Sequence, residues 1–553
     1  MSDITTASVR RSIWHGWGDP AARHALPPSG LSRLAQEIGA LPDAPSGGPV
    51  AEQDVRLPEP ALPGEVLEAL RAVVGANGVL QDRRSRLEHA GGKSYPDLYR
   101  LRTGDGSRAP DAVVVPADAE QVGGVIRCCA ERGVAVIPFG GGTSVVGGVT
   151  PSAKRGPTVS LDLRRLDRLV RVDPISHTAT LQAGVRGPDI ERLLAAHGLS
   201  LGHLPQSHQQ ATFGGYVATR SAGQASTGYG RIDDNVLAAT VVTPVGELVL
   251  DHRAPASAAG PGLLDLVVGS EGSLGVITEA TVKVHAKPTE FTCAAYAFAS
   301  MDEAAETLRV MIQSLGKATM PQVCRISDPD ETDVSLALAG PAGEALARYL
   351  RLRRMATPCL AVLVWEGTNA TVVRARRRAC TNVLTASRAV RLPGRIAQAW
   401  RQGRFSGPYL RDELMDRQVF VETLETATSW SNVPHLYDAV GAAIRSALAE
   451  LGTPGLVQCH VSHVYETGCS LYFTFVAREA ADPLGQWSRV KAAASEVIVA
   501  AGGTITHHHA VGKDHRPYLE AETGVLGTRL LRAVKQTLDP QGVMNPGTLV
   551  ADD

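Results

Sequence analysis

The sequence has 553 residues, with 55 Lys and Arg against 56 Asp and Glu, so its formal net charge is -1. This balance excludes a global attraction to nucleic acid or to anionic membranes. Hydrophobic residues make up 44% and charged residues 20%, which is typical of a globular chain of two or three domains and excludes disorder as the main state. The 56 glycines follow no three-residue period, so a collagen-like chain is excluded and their positions become informative.

Cysteine use and the apolar runs predict a cytoplasmic protein. The eight cysteines form no CxxC pair, which favours a reducing compartment. The pair Arg10–Arg11 is not followed by the apolar stretch of an export signal. No apolar run approaches the length of a membrane-spanning helix, so we expect no transmembrane segment.

Hydrophobic spacing predicts an α+β chain in four segments. Residues 1–75 are rich in Pro, Ala and Gly and are expected to form an extension with short helices at Leu31–Ile38 and Gly64–Val74. From Pro110, short β-branched runs alternate with helical spacing to about residue 290. A second alternation covers 291–500, and 501–553 contains a triple histidine and a helix predicted at Gly527–Leu538.

The first glycine segment, PFGGGTS at 138–144, follows an apolar strand. Consecutive glycines let backbone N–H groups converge on an anion, and the hydroxyls of Thr143 and Ser144 can add donors. The segment is neither a Walker A loop nor GxGxxG. It predicts a site for a dinucleotide pyrophosphate, with a purely structural turn as the alternative.

Three further segments follow in order: PQSHQQATFGG at 205–215, GSEGSLGVIT at 269–278 and the C-terminal MNPGTL. Together with the first loop, this set resembles the FAD-binding (PCMH-type) domain of the vanillyl-alcohol oxidase superfamily. The resemblance implies a two-domain α+β fold, with an FAD-binding domain at 76–290, a ferredoxin-like substrate or cap domain at 291–500, and a C-terminal segment, 501–553, that completes the site.

In that superfamily the first loop holds the pyrophosphate, the second lies along the isoalloxazine, and the third holds the adenosine side. By motif position, the residues expected to bind FAD are Pro138, Gly140, Gly141, Gly142, Thr143, Ser144, Pro205, Gln206, Ser207, Thr212, Gly215, Ala218, Thr219, Ser221, Gly223, Tyr229, Glu271, Gly275, Val276 and Ile277. For Glu271 a packing role is the alternative. The first loop carries no histidine, so we expect FAD to be non-covalent; attachment at His203 is the alternative.

Within the superfamily, the whole chain is similar to the alkyldihydroxyacetonephosphate synthase family. The similarity is carried by PFGGGTSV, PYLRDEL, ETLETATSW, CHVSHVYETGCSLYFTF and ITHHHAVGK. It implies that His508 and His509, with His507 beside them, and Tyr472 from the preceding strand surround the reactive face of the flavin and supply acid/base help to chemistry at flavin N5. Histidine is suited to proton transfer near neutral pH. In an extended segment, consecutive histidines would point alternately to opposite faces.

The same similarity places Arg325, Arg411 and Thr423 at substrate-binding positions. A guanidinium is the expected partner of a phosphate or carboxylate. For each arginine a surface position is the alternative, and for Tyr472 a strand-core role. A zinc site at His507 and His509 with His460 or His463 lacks a completing carboxylate or thiol, so we predict no metal.

The chain departs from the synthase pattern in two places. Gln206 and Gln209 stand where the family carries acids in the second loop, and Ala510 follows the histidines where the family has Gly. The loss of a carboxylate beside the flavin removes a charge that tunes protonation. Two functions therefore stay open: a synthase-like transferase, and an FAD-dependent oxidase or dehydrogenase of a hydroxy acid, alcohol or secondary metabolite. The expected partners are a small-molecule or lipid-like substrate and, by analogy, a second copy in a homodimer; nucleic acid is not expected.

Overall fold

The computed structural model describes residues 13–23, 25–39, 41, 47–152 and 156–550. The pair Arg10–Arg11 lies outside the described residues. Helices and mixed sheets are arranged as the sequence predicts, and the α+β fold class is confirmed.

The strands of the first part of the chain form a mixed sheet and an antiparallel sheet. β2, β4 and β3 are parallel, with β1 antiparallel at the edge, and the antiparallel sheet has the order β5-β6-β10-β8-β9. The parallel strands are almost wholly buried, as a sheet covered on both faces requires, although β4 carries the polar residues Thr158, Ser160 and Asp162 on one face. The strands are β1 (Val79–Leu80), β2 (Ala112–Val114), β3 (Ala135–Phe139), β4 (Thr158–Asp162), β5 (Leu169–Asp173), β6 (Thr178–Gln182), β7 (Leu199–Ser200), β8 (Val236–Thr243), β9 (Gly246–Leu250), β10 (Val276–Lys283) and β11 (His285–Ala286).

The second part of the chain forms one seven-stranded antiparallel sheet, which we call the cap sheet. Its strand order is β15-β12-β14-β13-β17-β18-β16. The strands are β12 (Glu290–Phe298), β13 (Val323–Ser327), β14 (Cys359–Gly367), β15 (Val390–Leu392), β16 (Val419–Ser429), β17 (Leu456–Val464) and β18 (Gly468–Arg478).

Nineteen α-helices are described around these sheets. They are α1 (Pro28–Ile38), α2 (Gly64–Val74), α3 (Arg83–Glu88), α4 (Tyr95–Arg102), α5 (Ala119–Glu131), α6 (Gly187–Ala195), α7 (Phe213–Ala218), α8 (Ser226–Tyr229), α9 (Ile232–Asn235), α10 (Leu264–Val267), α11 (Met301–Leu315), α12 (Pro329–Leu338), α13 (Pro341–Leu352), α14 (Ala370–Ala386), α15 (Arg395–Gly403), α16 (Gly407–Met415), α17 (Val433–Glu450), α18 (Pro483–Ala500) and α19 (Leu519–Leu538). The predicted start of the last helix at Gly527 is wrong: α19 begins eight residues earlier and breaks at Gly524, whose φ of 71° interrupts it.

The two faces of the cap sheet have different partners. One face packs against α11, α14 and α17 in the largest apolar core. The other face buries Val362 and Val364 against α13 and α15. All eight cysteines are buried and free. Within the described part of the chain, no helix is both long and apolar enough to cross a bilayer.

Candidate active site

The first two glycine loops pack directly on each other. A Cβ on Gly140 would lie 2.2 Å from Oγ1 of Thr212, and a Cβ on Gly141 would lie 2.3 Å from the carbonyl oxygen of Gln210. The amide of Gln210 donates back to the carbonyl of Gly141 at 3.0 Å. Glycine is needed at 140 and 141 because any side chain would separate the two loops.

The other predicted residues of the first loop take defined positions. Pro138 lies in β3, directly before the loop, and Gly142 has φ of 64° with the Phe139 ring against it. Ser144 accepts hydrogen bonds from the N–H groups of Gly148 and Val146, so its hydroxyl helps close the turn.

The second loop leads from Pro205 through Gln206 and Ser207 into helix α7. Thr212 precedes that helix, and its buried hydroxyl has no hydrogen-bond partner among the described residues. The remaining predicted residues of this segment lie in α7 and in the turns that follow it. Thr219 donates to the carbonyl of Gly215, Ser221 contacts His203, Gly223 lies against the backbone of Leu204, and Ala218 ends α7.

Tyr229, the last residue of α8, contacts the cap sheet. Its hydroxyl donates to Glu366 of β14 at 3.2 Å, so it joins the FAD-binding segment to the cap sheet. His203, the alternative site of covalent attachment, is 2% exposed and has Nε2 2.7 Å from Oγ of Ser221.

The third loop connects the sheet to the C-terminal segment. The two carboxylate oxygens of Glu271 accept the N–H groups of Val511 and Gly512, each at 2.8 Å. Asn545 donates to the carbonyls of Glu271 and Gly148. The carboxylate of Glu271 is therefore engaged in packing. Gly275 is held against the carbonyl of Val242, and Val276 and Ile277 are core residues of β10.

The residues between these loops fit a dinucleotide. Two buried polar atoms beside the glycine loops have no hydrogen-bond partner among the described residues: Oγ1 of Thr212, against Gly140, and Oδ1 of Asn545, whose amide nitrogen donates to the Gly148 carbonyl. Buried polar atoms are normally satisfied, so a polar ligand is expected here. FAD carries phosphate oxygens and carbonyls that accept hydrogen bonds, and hydroxyl, amino and ring N–H groups that donate them to an acceptor such as Oδ1 of Asn545.

On the cap sheet, three polar residues stand side by side on neighbouring strands. Glu425 of β16 is directly opposite Tyr472 of β18, and Tyr472 is directly opposite His460 of β17. Residues opposite each other in an antiparallel pair share a face. The ring of Tyr472 stacks on His460 at 4.7 Å, and Thr423 lies beside its phenol. Tyr472 is thus part of a polar row and not of the apolar core.

The three histidines wrap around Glu425 and do not alternate as an extended strand would. The buried carboxylate accepts the backbone N–H groups of His507 at 2.6 Å, His508 at 3.0 Å and His509 at 2.7 Å. The expectation of alternating faces is wrong because Glu425 bends the segment. Tyr472 then faces the rings of both His508, at 6.0 Å, and His509, at 5.4 Å.

The side chain of His507 connects Tyr465 to His508. The hydroxyl of Tyr465 lies 2.6 Å from Nε2 of His507, and Nδ1 of His507 lies 2.9 Å from Nδ1 of His508. Arg231, which can only donate, lies beside the Tyr465 oxygen, so the phenol proton is available to His507. If the phenol donates to Nε2, His507 donates from Nδ1 to His508, whose own proton is then on Nε2. Nδ1 of His508 also lies 3.5 Å from a carboxylate oxygen of Glu425.

Burial sets the protonation of this group. It lowers the pKa of His507 and His508 and lowers that of His509 to about 3, so all three rings are neutral at pH 7. Burial raises the pKa of Tyr472 to about 12, which keeps its phenol protonated. Burial also opposes ionisation of Glu425, but the three backbone N–H groups that it accepts favour the carboxylate, and its pKa is lowered.

The two predicted arginines differ in how many donors they have free. Arg325 donates to Glu331 at 2.7 Å and contacts His460 at 3.1 Å, so it is held in an ion pair. Arg411 of α16 donates from one nitrogen to the carbonyl of Lys93, while Nε and Nη2 are buried without a partner among the described residues. Arg411 can therefore take an anion more readily than Arg325.

His463, His507 and His508 have ring nitrogens within 4.8 Å of one another and could hold a metal ion. Both nitrogens of His507 already have hydrogen-bond partners, Tyr465 and His508. The prediction of no metal stays a prediction.

Sequence reasoning missed Glu425, Tyr465 and Arg404, a buried arginine that follows α15. Glu425 lies within ETLETATSW and Tyr465 within CHVSHVYETG, two of the motifs that carry the resemblance. Membership in these motifs could have marked both residues as candidates. Their contacts could not be predicted, because the partner in the Glu425–His507 and Tyr465–His507 contacts is 40 or more residues away.

The chain matches two family models. The FAD binding domain model covers residues 110–250, and the model described as FAD linked oxidases, C-terminal domain, covers 287–549. The chain is 31% identical to alkyldihydroxyacetonephosphate synthase of Dictyostelium discoideum, over 97% of this chain and 93% of that protein. It is 32% identical to the Trypanosoma brucei brucei protein of the same name, over 99% and 94%. A solved structure of an alkyldihydroxyacetonephosphate synthase superposes with a TM-score of 0.83 at 29% identity, covering 97% of this chain and 99% of that one.

These matches confirm the predicted FAD cofactor and the prediction of an FAD-dependent enzyme. They extend over nearly the whole chain, so both the glycine loops and the cap sheet are included. The chain belongs to the family of FAD-dependent enzymes that includes the alkyldihydroxyacetonephosphate synthases.

Proposed function

We propose that this protein is an FAD-dependent enzyme with a synthase-like active site, which acts on a substrate that carries a phosphate or carboxylate. The observation that supports it best is the arrangement around Glu425: one buried carboxylate holds three neutral histidines beside Tyr472, on the cap-sheet face that also carries Arg325. Such a group moves protons and binds an anion without a metal.

The residues have separate roles in this proposal. His508 presents Nε2–H as a proton donor, while its Nδ1 is held by the contact with Nδ1 of His507. Tyr472 donates from its phenol, and His509 offers Nδ1, which has no hydrogen-bond partner among the described residues, as an acceptor. Arg411 and Arg325, with Thr423 beside Tyr472, bind and orient the substrate. Bound FAD supplies an electrophilic N5 at which a substrate carbon or hydride can be held.

Under the synthase reading, the acyl group of an acyl dihydroxyacetone phosphate leaves as a carboxylic acid and a fatty alcohol takes its place. The exchange has no net redox change, so it needs proton donors and acceptors but no electron acceptor. The neutral histidines and protonated Tyr472 suit that requirement.

A second candidate is an FAD-dependent oxidase or dehydrogenase of a hydroxy acid or alcohol. It is favoured by the neutral second loop. Gln206 and Gln209 stand where the synthase pattern has acids, and each accepts a hydrogen bond at its amide oxygen, from Gln224 at 2.9 Å and from Tyr409 at 3.2 Å.

Anaerobic mixing of the purified holoenzyme with candidate substrates distinguishes the two. Product from acyl dihydroxyacetone phosphate and fatty alcohol, without an electron acceptor, supports the synthase. Bleaching of the flavin by a hydroxy acid or alcohol, reversed by air, supports the oxidase or dehydrogenase. A colourless protein that cannot be reconstituted with FAD contradicts both.

The roles of the histidines can be tested by single substitutions. His508→Ala and His509→Ala should each abolish turnover while FAD stays bound. Undiminished turnover in either variant would refute the acid/base role of that residue. FAD content, measured by absorbance, separates this result from loss of the cofactor.

We further propose that FAD is bound without a covalent link, because the first loop has no histidine and His203 Nε2 contacts Ser221. Acid precipitation should therefore release the flavin into the supernatant.

We assign residues 76–290 to FAD binding, 291–500 to substrate binding and 501–553 to a segment that completes both sites, after the 1–75 extension.

A further inference from the structure

Arg404 is a buried cation whose guanidinium has no hydrogen-bond partner within the part of the chain that the structure describes. It follows the last residue of α15, and its side chain is 6% exposed. Nε, Nη1 and Nη2 have no hydrogen-bond partner among the described residues. A guanidinium that has lost water on all sides needs an acceptor, because burying an uncompensated charge costs several kcal/mol.

The position of Arg404 is set by the second glycine loop. Its backbone carbonyl accepts from Nε2 of Gln224 at 3.0 Å, and the same amide nitrogen donates to Gln206 at 2.9 Å. The next residue, Phe405, stacks on His208 of that loop at 5.6 Å, and the Arg404 guanidinium lies 5.1 Å from the Phe405 ring centroid. Arg404 thus faces the junction between the FAD loops and the cap.

No acid among the described residues forms an ion pair with Arg404. Glu366 is the nearby acid, but it makes no ion pair with Arg404 and accepts instead from Tyr229. Arg401 adds a further positive charge, and burial lowers the pKa of the nearby His208 to about 3, which leaves that ring neutral. Burial lowers the pKa of Arg404 to about 10, so it is a cation at pH 7.

We propose that Arg404 is an oxyanion-binding residue of the substrate site, which takes the phosphate or carboxylate group of the substrate through its unpaired guanidinium. The inference rests on the proposed function, since it names the residue that recognises the anionic substrate. The planar fork of donors matches two oxygens of either anion. Arg325, by contrast, is already paired with Glu331.

The test measures anion binding to the holoenzyme, with no turnover required. Inorganic phosphate and dihydroxyacetone phosphate are titrated at constant ionic strength while the flavin absorbance and the melting temperature are recorded. Arg404→Met should weaken binding of both by about 10- to 100-fold with FAD content unchanged. The anion affinity of Arg404→Lys should lie between those of Arg404→Met and the unmodified protein, because lysine keeps the charge but lacks the planar pair of donors. Arg395→Gln, an exposed arginine at the start of the same helix, is the matched control and should bind as the unmodified protein does.

A second readout separates binding from a structural role. Without added anion, Arg404→Met should melt at a higher temperature than the unmodified protein, because a buried unpaired charge is replaced by an apolar chain. If Arg404→Met melts at a lower temperature and binds anions as tightly as the unmodified protein, the proposal is overturned. It is also overturned if Arg404→Met loses FAD while its anion affinity is unchanged, because the guanidinium would then serve the cofactor. If anion binding depends on Arg404 but neither reaction occurs, the anion site stands and the proposed function fails.

Discussion

The hydroxyl of Tyr465 lies 2.6 Å from Nε2 of His507, and this contact joins the phenol to the histidine run. The two residues are 42 positions apart, one after β17 and the other in the histidine run. When the phenol donates to Nε2, His507 carries its proton on Nδ1 and donates to Nδ1 of His508. In that arrangement the proton of His508 is on Nε2.

Tyr465→Phe should lower kcat by about 10-fold with little change in KM, because His507 loses the donor that fixes its tautomer. FAD content should not change. Steady-state kinetics over a range of pH is the measurement, and the pH profile should shift relative to that of the unmodified protein. Tyr437→Phe, which removes a hydroxyl that donates to Asp328, is the control. Equal kcat and an identical pH profile would show that Tyr465 does not position the histidines.

Gly141→Val should abolish FAD binding. The Cβ would lie 2.3 Å from the Gln210 oxygen and 2.7 Å from Cα of Ala211, and backbone atoms cannot move aside as a flexible side chain can. The ratio of flavin to protein absorbance reports the result. Gly64→Val, at an exposed position with open space around it, should keep full flavin occupancy. Full occupancy in Gly141→Val would contradict the assignment of this loop to the cofactor.

Ala510→Gly should stabilise the protein by about 0.5–1 kcal/mol. Ala510 has φ of 75°, which costs a residue with a Cβ about 1–2 kcal/mol, while glycine loses about 0.5–1 kcal/mol more entropy on folding. Urea unfolding gives the difference. Ala533→Gly, the same change at an exposed position within α19, should instead destabilise by about 1 kcal/mol. A loss of stability in Ala510→Gly would show that the left-handed backbone carries no strain.

Asp162→Asn should lower stability by about 2 kcal/mol at pH 7, and the deficit should fall to about half of that at pH 3. Burial opposes ionisation of Asp162, but His89, at 2.9 Å, and Arg164 outweigh it and hold its pKa at about 2. The folded pKa is below the unfolded value of 3.8, so the stabilisation is complete above about pH 4 and is lost as pH falls through 2.

Urea unfolding of Asp162→Asn at pH 7, 5 and 3 tests this dependence. Asp167→Asn, an exposed neighbour, should show no deficit at any of these values. A deficit of Asp162→Asn that is constant from pH 7 to 3 would mean that packing, and not the charge, accounts for it.

Local signals predicted more of this molecule than non-local ones. The glycine loop at 140–144 follows a strand whose apolar pattern is visible within ten residues, and helix α2 begins and ends where its spacing predicts. The triple histidine was readable because its members are adjacent. Its shape was not, since Glu425, 82 residues earlier, bends it by accepting three N–H groups.

The sequence by itself determined that about a tenth of the chain is glycine, and it predicts that part of this glycine forms loops for FAD, accompanied by Tyr472 and the histidines. Only the tertiary structure decided which donors are already used. Arg325 and Arg404 look alike in the sequence, yet one is paired with Glu331 and the other is buried without a partner among the described residues. The physical reason is that hydrogen bonding and burial depend on which distant strands and loops come together, and a single arginine carries no record of its partners.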